Sequence, residues 1–143
     1  MLFRSHTSAT QKDQAEQVLA AAGMTRWIDD EALMDTVTAI SGSAPAYFFA
    51  VVEALEDAAV AQGLPRETAR ALAAQTCFGA GRMMVESGED PAVLRKRVTS
   101  PKGTTQAALE SFSADNLPQI VARAVAAARD RGVELAAELD KLA

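Results

Sequence analysis

The segment Val98-Thr99-Ser100-Pro101-Lys102-Gly103-Thr104-Thr105 is the one stretch whose residue types and spacing suggest binding chemistry. Pro101 and Gly103 are turn formers, and helix-forming sequence begins immediately afterwards at Thr104. The first turn of a helix leaves backbone N–H groups without partners, and the helix dipole adds positive potential there. Thr104 and Thr105 bring hydroxyl donors to the same corner. Such an arrangement can hold a small carboxylate without a charged side chain. A second reading stays open at this point: a plain helix start, capped by the hydroxyl of Ser100 or Thr104.

Other candidates for chemistry are weaker. His6 is the single histidine and sits in the short opening stretch Met1 to His6, with no serine or cysteine partner at a useful spacing; it reads as a surface residue. Cys77 lies mid-helix among apolar residues with no base nearby, and reads as a small hydrophobe. Glu53 with Asp57, and Glu89 with Asp90, read as solvated charge rather than acid/base dyads. Met83 and Met84 read as core or interface. Ser41-Gly42-Ser43 lacks both the preceding strand and the third glycine of a dinucleotide fingerprint. One cysteine and one histidine exclude an internal disulfide and a Cys/His metal cluster, so no metal ligands are assigned.

The elements that must position the Val98–Thr105 corner are helices. Thr10 can cap a helix from Gln11 to Ala22, stopped by Gly23. Met24 to Ile28 reads as a short strand, so the opening of the chain reads as a β-α-β fragment, although two strands cannot make a stable sheet. From Asp29 or Asp30 a helix runs through Leu33, Met34, Val37 and Ile40, and the small residues Ser41 to Pro45 read as a loop ending it. Pro45 opens a longer helix to about Gln62, apolar on most sides. Gly63-Leu64-Pro65 separates it from a helix ending near Ser87, which carries no charge between Ala71 and Gly81. Gly79 and Gly81 inside that helix need a reason such as close helix contact. Shorter helices follow from Pro91 to Val98 and from Thr104 to Phe112. A last one spans Leu117 to Leu142, with Val121, Ala124, Leu135 and Leu139 on one seam.

These elements add up to an all-α domain, preceded by a short α/β remnant. Two long uncharged helix segments in 143 residues leave much apolar surface to cover, and the simplest cover is a second copy, a homodimer. A net charge of −5 disfavours a nucleic-acid partner. Aromatics at 5% argue against base-stacking platforms. The longest apolar run, Ala46 to Val52, is far short of a membrane span. No signal peptide is evident, and the cysteine count suits a reducing cytoplasm.

Four segments together carry a resemblance. Asp29 to Asp35, Val37 to Tyr47, Gly63-Leu64-Pro65 and Val98 to Leu109 closely resemble pyrroline-5-carboxylate reductase in order and spacing. The resemblance covers essentially the whole chain. It implies reduction of 1-pyrroline-5-carboxylate to L-proline by NADPH or NADH, a nucleotide-binding Rossmann domain, and an intertwined helical dimerisation domain of the 6-phosphogluconate dehydrogenase C-terminal type. Further assembly occurs in some members. The resemblance further implies that Ser100, Gly103, Thr104 and Thr105 cradle the substrate carboxylate. Thr105 would lie closest to the ring nitrogen and be the catalytic candidate. Reducing a C=N bond needs an oriented hydride and a route for one proton, not a nucleophile, so a missing triad is no objection.

The sequence departs from the family's pattern in places. Glycine is common where Lys102 stands, and Ala44 replaces a common glycine before Pro45. The nucleotide domain's glycine fingerprint and most of its sheet are missing. Residues 1–29 look like its last helix and strand, and residues 30–143 like the helical domain. The chain reads as a truncated gene product or a cut piece, with no nucleotide expected to bind it alone. The rival reading is a non-catalytic helical dimerisation module.

Overall fold

In the computed structural model, which describes residues 7–141, every regular element is helical. The expectations for His6 and Leu142 lie outside the described residues. Helix α1 (Ala9–Ala20) starts at Ser8, earlier than Thr10. The Ser8 hydroxyl accepts from Gln11 N at 3.3 Å, and Gln11 Oε1 accepts from Ser8 N at 2.9 Å. That reciprocal pair satisfies two otherwise orphaned donors, which fixes the boundary. Met24 to Ile28 is not a strand, so the expected α/β remnant becomes a helix and a loop. A strand needs a hydrogen-bonded neighbour, and none exists among the described residues. Instead the loop is tied back to α1: Trp27 Nε1 donates to Glu16 Oε2 at 3.1 Å, and Lys12 Nζ lies 5.6 Å from the Trp27 ring centre.

Asp30 caps the next element, its Oδ1 accepting from Ala32 N at 2.9 Å. A 3-10 turn (Glu31–Leu33), α2 (Met34–Thr38), a π turn (Ala39–Ser43) and α3 (Ala44–Ala61) then run on as one helical rod. The loop expected over Ser41 to Pro45 is therefore replaced by a helical turn of wider pitch. Proline inside a helix loses one hydrogen bond and crowds the carbonyl four residues back, and a wider preceding turn relieves that crowding. Hydroxyls reinforce it, with Thr38 Oγ1 donating to Met34 O at 2.9 Å and Ser41 Oγ to Val37 O at 2.7 Å. By length and composition this rod could cross a membrane, a property the short run Ala46–Val52 did not reveal.

Helix α4 (Arg66–Ser87) folds back on α3 after Gln62 to Pro65 and ends at Gly88 in the left-handed conformation. Helix α5 (Pro91–Arg97) is capped by Asp90, whose Oδ1 accepts from Ala92 N at 2.7 Å. Helices α6 (Thr104–Ala114) and α7 (Leu117–Asp140) complete the order. Helix α7 returns to pack on α2 and the π turn. Gly132 permits that approach, since a Cβ there would lie 2.8 Å from Asp35 Oδ1.

The charged residues divide as follows. Of the acids read as solvated charge, Asp57 is ion-paired with Arg66 at 2.8 Å and Glu89 with Arg97 at 2.7 Å. Glu56 is buried and accepts from Arg66 at 2.8 Å and from Arg70 at 3.0 Å. Hydrogen bonds from Arg70 and then Arg66 hold its carboxyl below the ordinary carboxylate range.

The single chain buries little apolar surface. Its buried apolar residues are Ala39, Ala44, Ala69, Ala73 and Leu94, and no large side chain among the described residues is fully enclosed. Phe49, Leu72, Phe78, Met83 and Met84 remain substantially exposed, as do Val121, Leu135 and Leu139 along α7. A Cβ at Gly79 or Gly81 would meet nothing within 4 Å, so the close contact these glycines suggest is not made inside the chain. The accessible surface is 11505 Å² for a 15.1 kDa chain. A compact monomer of that mass exposes about 7,100 Å². The difference, several thousand Å², exceeds what an obligate homodimer needs from each partner.

Candidate functional site

Val98 to Thr105 forms a tight corner between α5 and α6. Gly103 N donates to Ser100 O at 3.0 Å, closing a four-residue turn over Pro101 and Lys102. Lys102 has φ +60°, the left-handed value that the third position of a type II turn demands. Glycine reaches this conformation freely, whereas a side chain costs about 1–2 kcal/mol. Lys102→Gly is therefore expected to raise the stability of the chain by about 1 kcal/mol, read as a higher thermal midpoint. A lower midpoint would show that the lysine side chain compensates for the strain. Gly103 has the opposite requirement: a Cβ there would lie 3.1 Å from Ser100 O and crowd the turn.

The start of α6 carries no side-chain cap, so the plain-cap reading with Ser100 or Thr104 does not describe it. The first backbone bond of the helix is Ala107 N to Gly103 O at 3.2 Å. The amides of Thr104, Thr105 and Gln106 are left open among the described residues. The Gly103 amide is committed to the turn, so the open donors are displaced one residue toward the helix. Ser100, Thr104 and Thr105 are exposed, and Gly103 is half-buried at the corner. All four expected site residues thus lie on one turn of chain.

Sequence reasoning missed Gln106. Its Oε1 accepts from Lys102 N at 2.8 Å and its Nε2 donates to Glu110 Oε1 at 2.7 Å, bracing the turn against α6. The available signal was a glutamine at the third helical position, where capping-box side chains reach back. From the other side, Thr99 Oγ1 donates to Arg95 O at 2.6 Å, anchoring the corner on the last turn of α5. Arg95, Lys96 and Arg97 are the basic residues of that last turn. Arg97 is engaged by Glu89, whose hydrogen bond raises the guanidinium above its ordinary pKa.

The corner can therefore hold a small anion through amides and hydroxyls, at the positive end of the α6 dipole. It lies on an open face of the single chain. A cavity of about 690 Å³ elsewhere is lined by Leu19, Met24, Trp27, Ile28 and Met34, and no residue of the corner contributes to it. No group of His, Cys, Asp and Glu among the described residues could hold a metal ion. Ser41 and Gly42 belong to the π turn and take no part in the corner.

Known proteins match this chain over most of its length. A family model described as pyrroline-5-carboxylate reductase dimerisation matches residues 31–135. A pyrroline-5-carboxylate reductase of Pseudomonas aeruginosa is 50% identical over 135 residues, covering 94% of this chain and 50% of that protein. One from Haemophilus influenzae is 40% identical, covering 91% and 48%. The solved structure of a pyrroline-5-carboxylate reductase from Coxiella burnetii superposes with a TM-score of 0.88 at 39% identity, covering 92% of this chain and 49% of that one. The Plasmodium falciparum pyrroline carboxylate reductase, solved with NADP bound, gives 0.78 at 33% identity, covering 90% and 48%. The chain spans about half the length of the curated relatives it matches. An all-helical fold, with the family match running from the 3-10 turn into α7, places the chain in the pyrroline-5-carboxylate reductase dimerisation family.

Proposed function

We propose that this chain is the dimerisation and substrate-holding half of a pyrroline-5-carboxylate reductase, the enzyme class that reduces 1-pyrroline-5-carboxylate to L-proline with NADPH or NADH. The observation that carries the reading is the uncapped start of α6, with three open amides beside two threonine hydroxyls inside the family-matched region. The amides of Thr104 and Thr105 and the Ser100 hydroxyl take the substrate carboxylate, while Gly103 keeps the turn tight enough for that approach. The Thr105 hydroxyl then sits at the ring nitrogen and supplies or relays the proton that nitrogen gains.

Hydride chemistry belongs to the nucleotide. The described residues do not fit a dinucleotide, because such sites need a strand feeding a glycine-rich turn, and these residues are helical with loops. The nucleotide is assigned to a separate half, with residues 1–29 as the segment adjoining it and residues 30–143 as the helical domain. Two copies pair to cover the exposed faces of α3, α4 and α7, and higher assemblies can build on that pair. A second copy covers the apolar rod better than lipid does, because Glu53, Glu56 and Asp57 interrupt α3. The protein works in the cytoplasm, and no nucleic acid is a partner.

The test supplies the missing half. The nucleotide-binding half of the Pseudomonas aeruginosa relative, fused ahead of this chain, is expected to oxidise NADPH when 1-pyrroline-5-carboxylate is added, and the chain alone is not. A well-folded, dimeric but inactive fusion would favour the non-catalytic dimerisation module. Turnover by the chain alone would refute the division into halves.

A further inference from the structure

We infer that Glu56 is a positioning residue for subunit pairing: by clamping the base of α4 through Arg66 and Arg70, it fixes the direction in which α4 is presented to a second copy. The inference rests on the homodimer reading above. Glu56 is the buried charged residue of the described chain, at 7% exposure. Its Oε1 accepts from Arg66 Nη1 at 2.8 Å and Arg70 Nη2 at 3.0 Å, while Oε2 accepts from Arg70 Nε at 3.0 Å. Arg66 Nη1 also donates to Asp57 Oδ1 at 2.8 Å. The partners are ten and fourteen residues away in sequence, so they meet only when the hairpin closes.

The placement of the two arginines points to the clamp and not to helix stability. Arg66 opens α4, in the first turn where the dipole disfavours cations, and Arg70 stands one turn further on. A fork of charge-assisted hydrogen bonds defines an angle. The small alanines Ala69 and Ala73, which are the buried residues of α4, cannot define one. Helix α4 packs on α3 and on no other element to a comparable extent. Its direction is therefore set at this hairpin, and its exposed Leu72, Phe78 and Met83 are carried along with it.

Leverage makes the clamp matter. The span from Arg66 to Glu86 is about 30 Å at 1.5 Å per residue. A 10° change at the base would move the far end by about 5 Å, over half the usual 8–10 Å spacing between packed helices.

The experiment places a spin label on Glu86→Cys in a Cys77→Ser background and measures the label-to-label distance between the two copies. Glu86 is an exposed residue near the far end of α4. The parent chain is expected to give one narrow distance. Glu56→Gln and Arg70→Gln are each expected to keep the helical circular dichroism, shift or broaden that distance by several ångströms, and weaken dimerisation at least tenfold. If both variants keep the parent distance and lose only thermal stability, Glu56 is merely structural and the inference fails. Should Glu56→Gln not fold, Arg66→Gln, whose arginine is half exposed, takes its place with the same two outcomes. A parent chain that stays monomeric at all concentrations overturns the homodimer reading before any clamp variant is made.

Discussion

Thr105→Ala, in the chain fused to a relative's nucleotide-binding half, is expected to lower kcat for 1-pyrroline-5-carboxylate about 10²-fold, roughly 2.7 kcal/mol of barrier. The Michaelis constant should change much less. The corner has two separable jobs. Under the proposed function, holding the carboxylate falls to the open amides of Thr104 and Thr105 and the Ser100 hydroxyl, all of which the substitution leaves in place. Delivering a proton to the ring nitrogen needs a hydroxyl, which alanine removes. Thr105→Ser keeps the hydroxyl and should recover most of the rate. Ser100→Ala removes the hydroxyl assigned to the carboxylate instead, and should raise the Michaelis constant with a smaller effect on kcat. NADPH absorbance read against substrate concentration separates the two patterns. An unchanged kcat in Thr105→Ala would take that residue out of the mechanism.

That corner was legible in sequence because its causes are local. Pro101, Gly103 and the helix-forming run behind them fix a turn without help from distant residues. The same holds for the breaks at Gly63-Leu64-Pro65 and Gly88, which stand where glycine and proline put them. Where the outcome depended on a neighbour, reading failed. Met24 to Ile28 has strand composition and, among the described residues, no strand to pair with. Ser41 to Pro45 has loop composition, yet back-bonding hydroxyls and a wider turn keep it helical. The left-handed Lys102 carries no signal in its own side chain; only the type II turn around it demands that conformation. Glu56 and its arginines are separated by a hairpin, so no local spacing announces them.

The uncharged run Ala71 to Gly81 is the clearest case of a sequence feature whose explanation lies outside the single chain. Phe78, in the middle of that run, is 61% exposed, and the flanking Gly79 and Gly81 face open space. Chemically the surface resembles a protein interior, and in the proposed homodimer a second copy makes it one. In a twofold pair every substitution counts twice. Moving a phenylalanine side chain out of contact forfeits about 2–3 kcal/mol per copy, before any cost of placing a charge there. Phe78→Glu is therefore expected to cost roughly 5 kcal/mol per dimer, which weakens association by about 10³- to 10⁴-fold. Analytical ultracentrifugation should show the parent as a dimer at micromolar concentration and the variant as a monomer. Because the chain's own core is a handful of alanines and one leucine, the parent should lose helical signal on dilution, with a concentration-dependent midpoint, and the monomeric variant should show the weaker signal at every concentration. A Phe78→Glu chain that remains a dimer with the parent's affinity would move the contact off this face of α4.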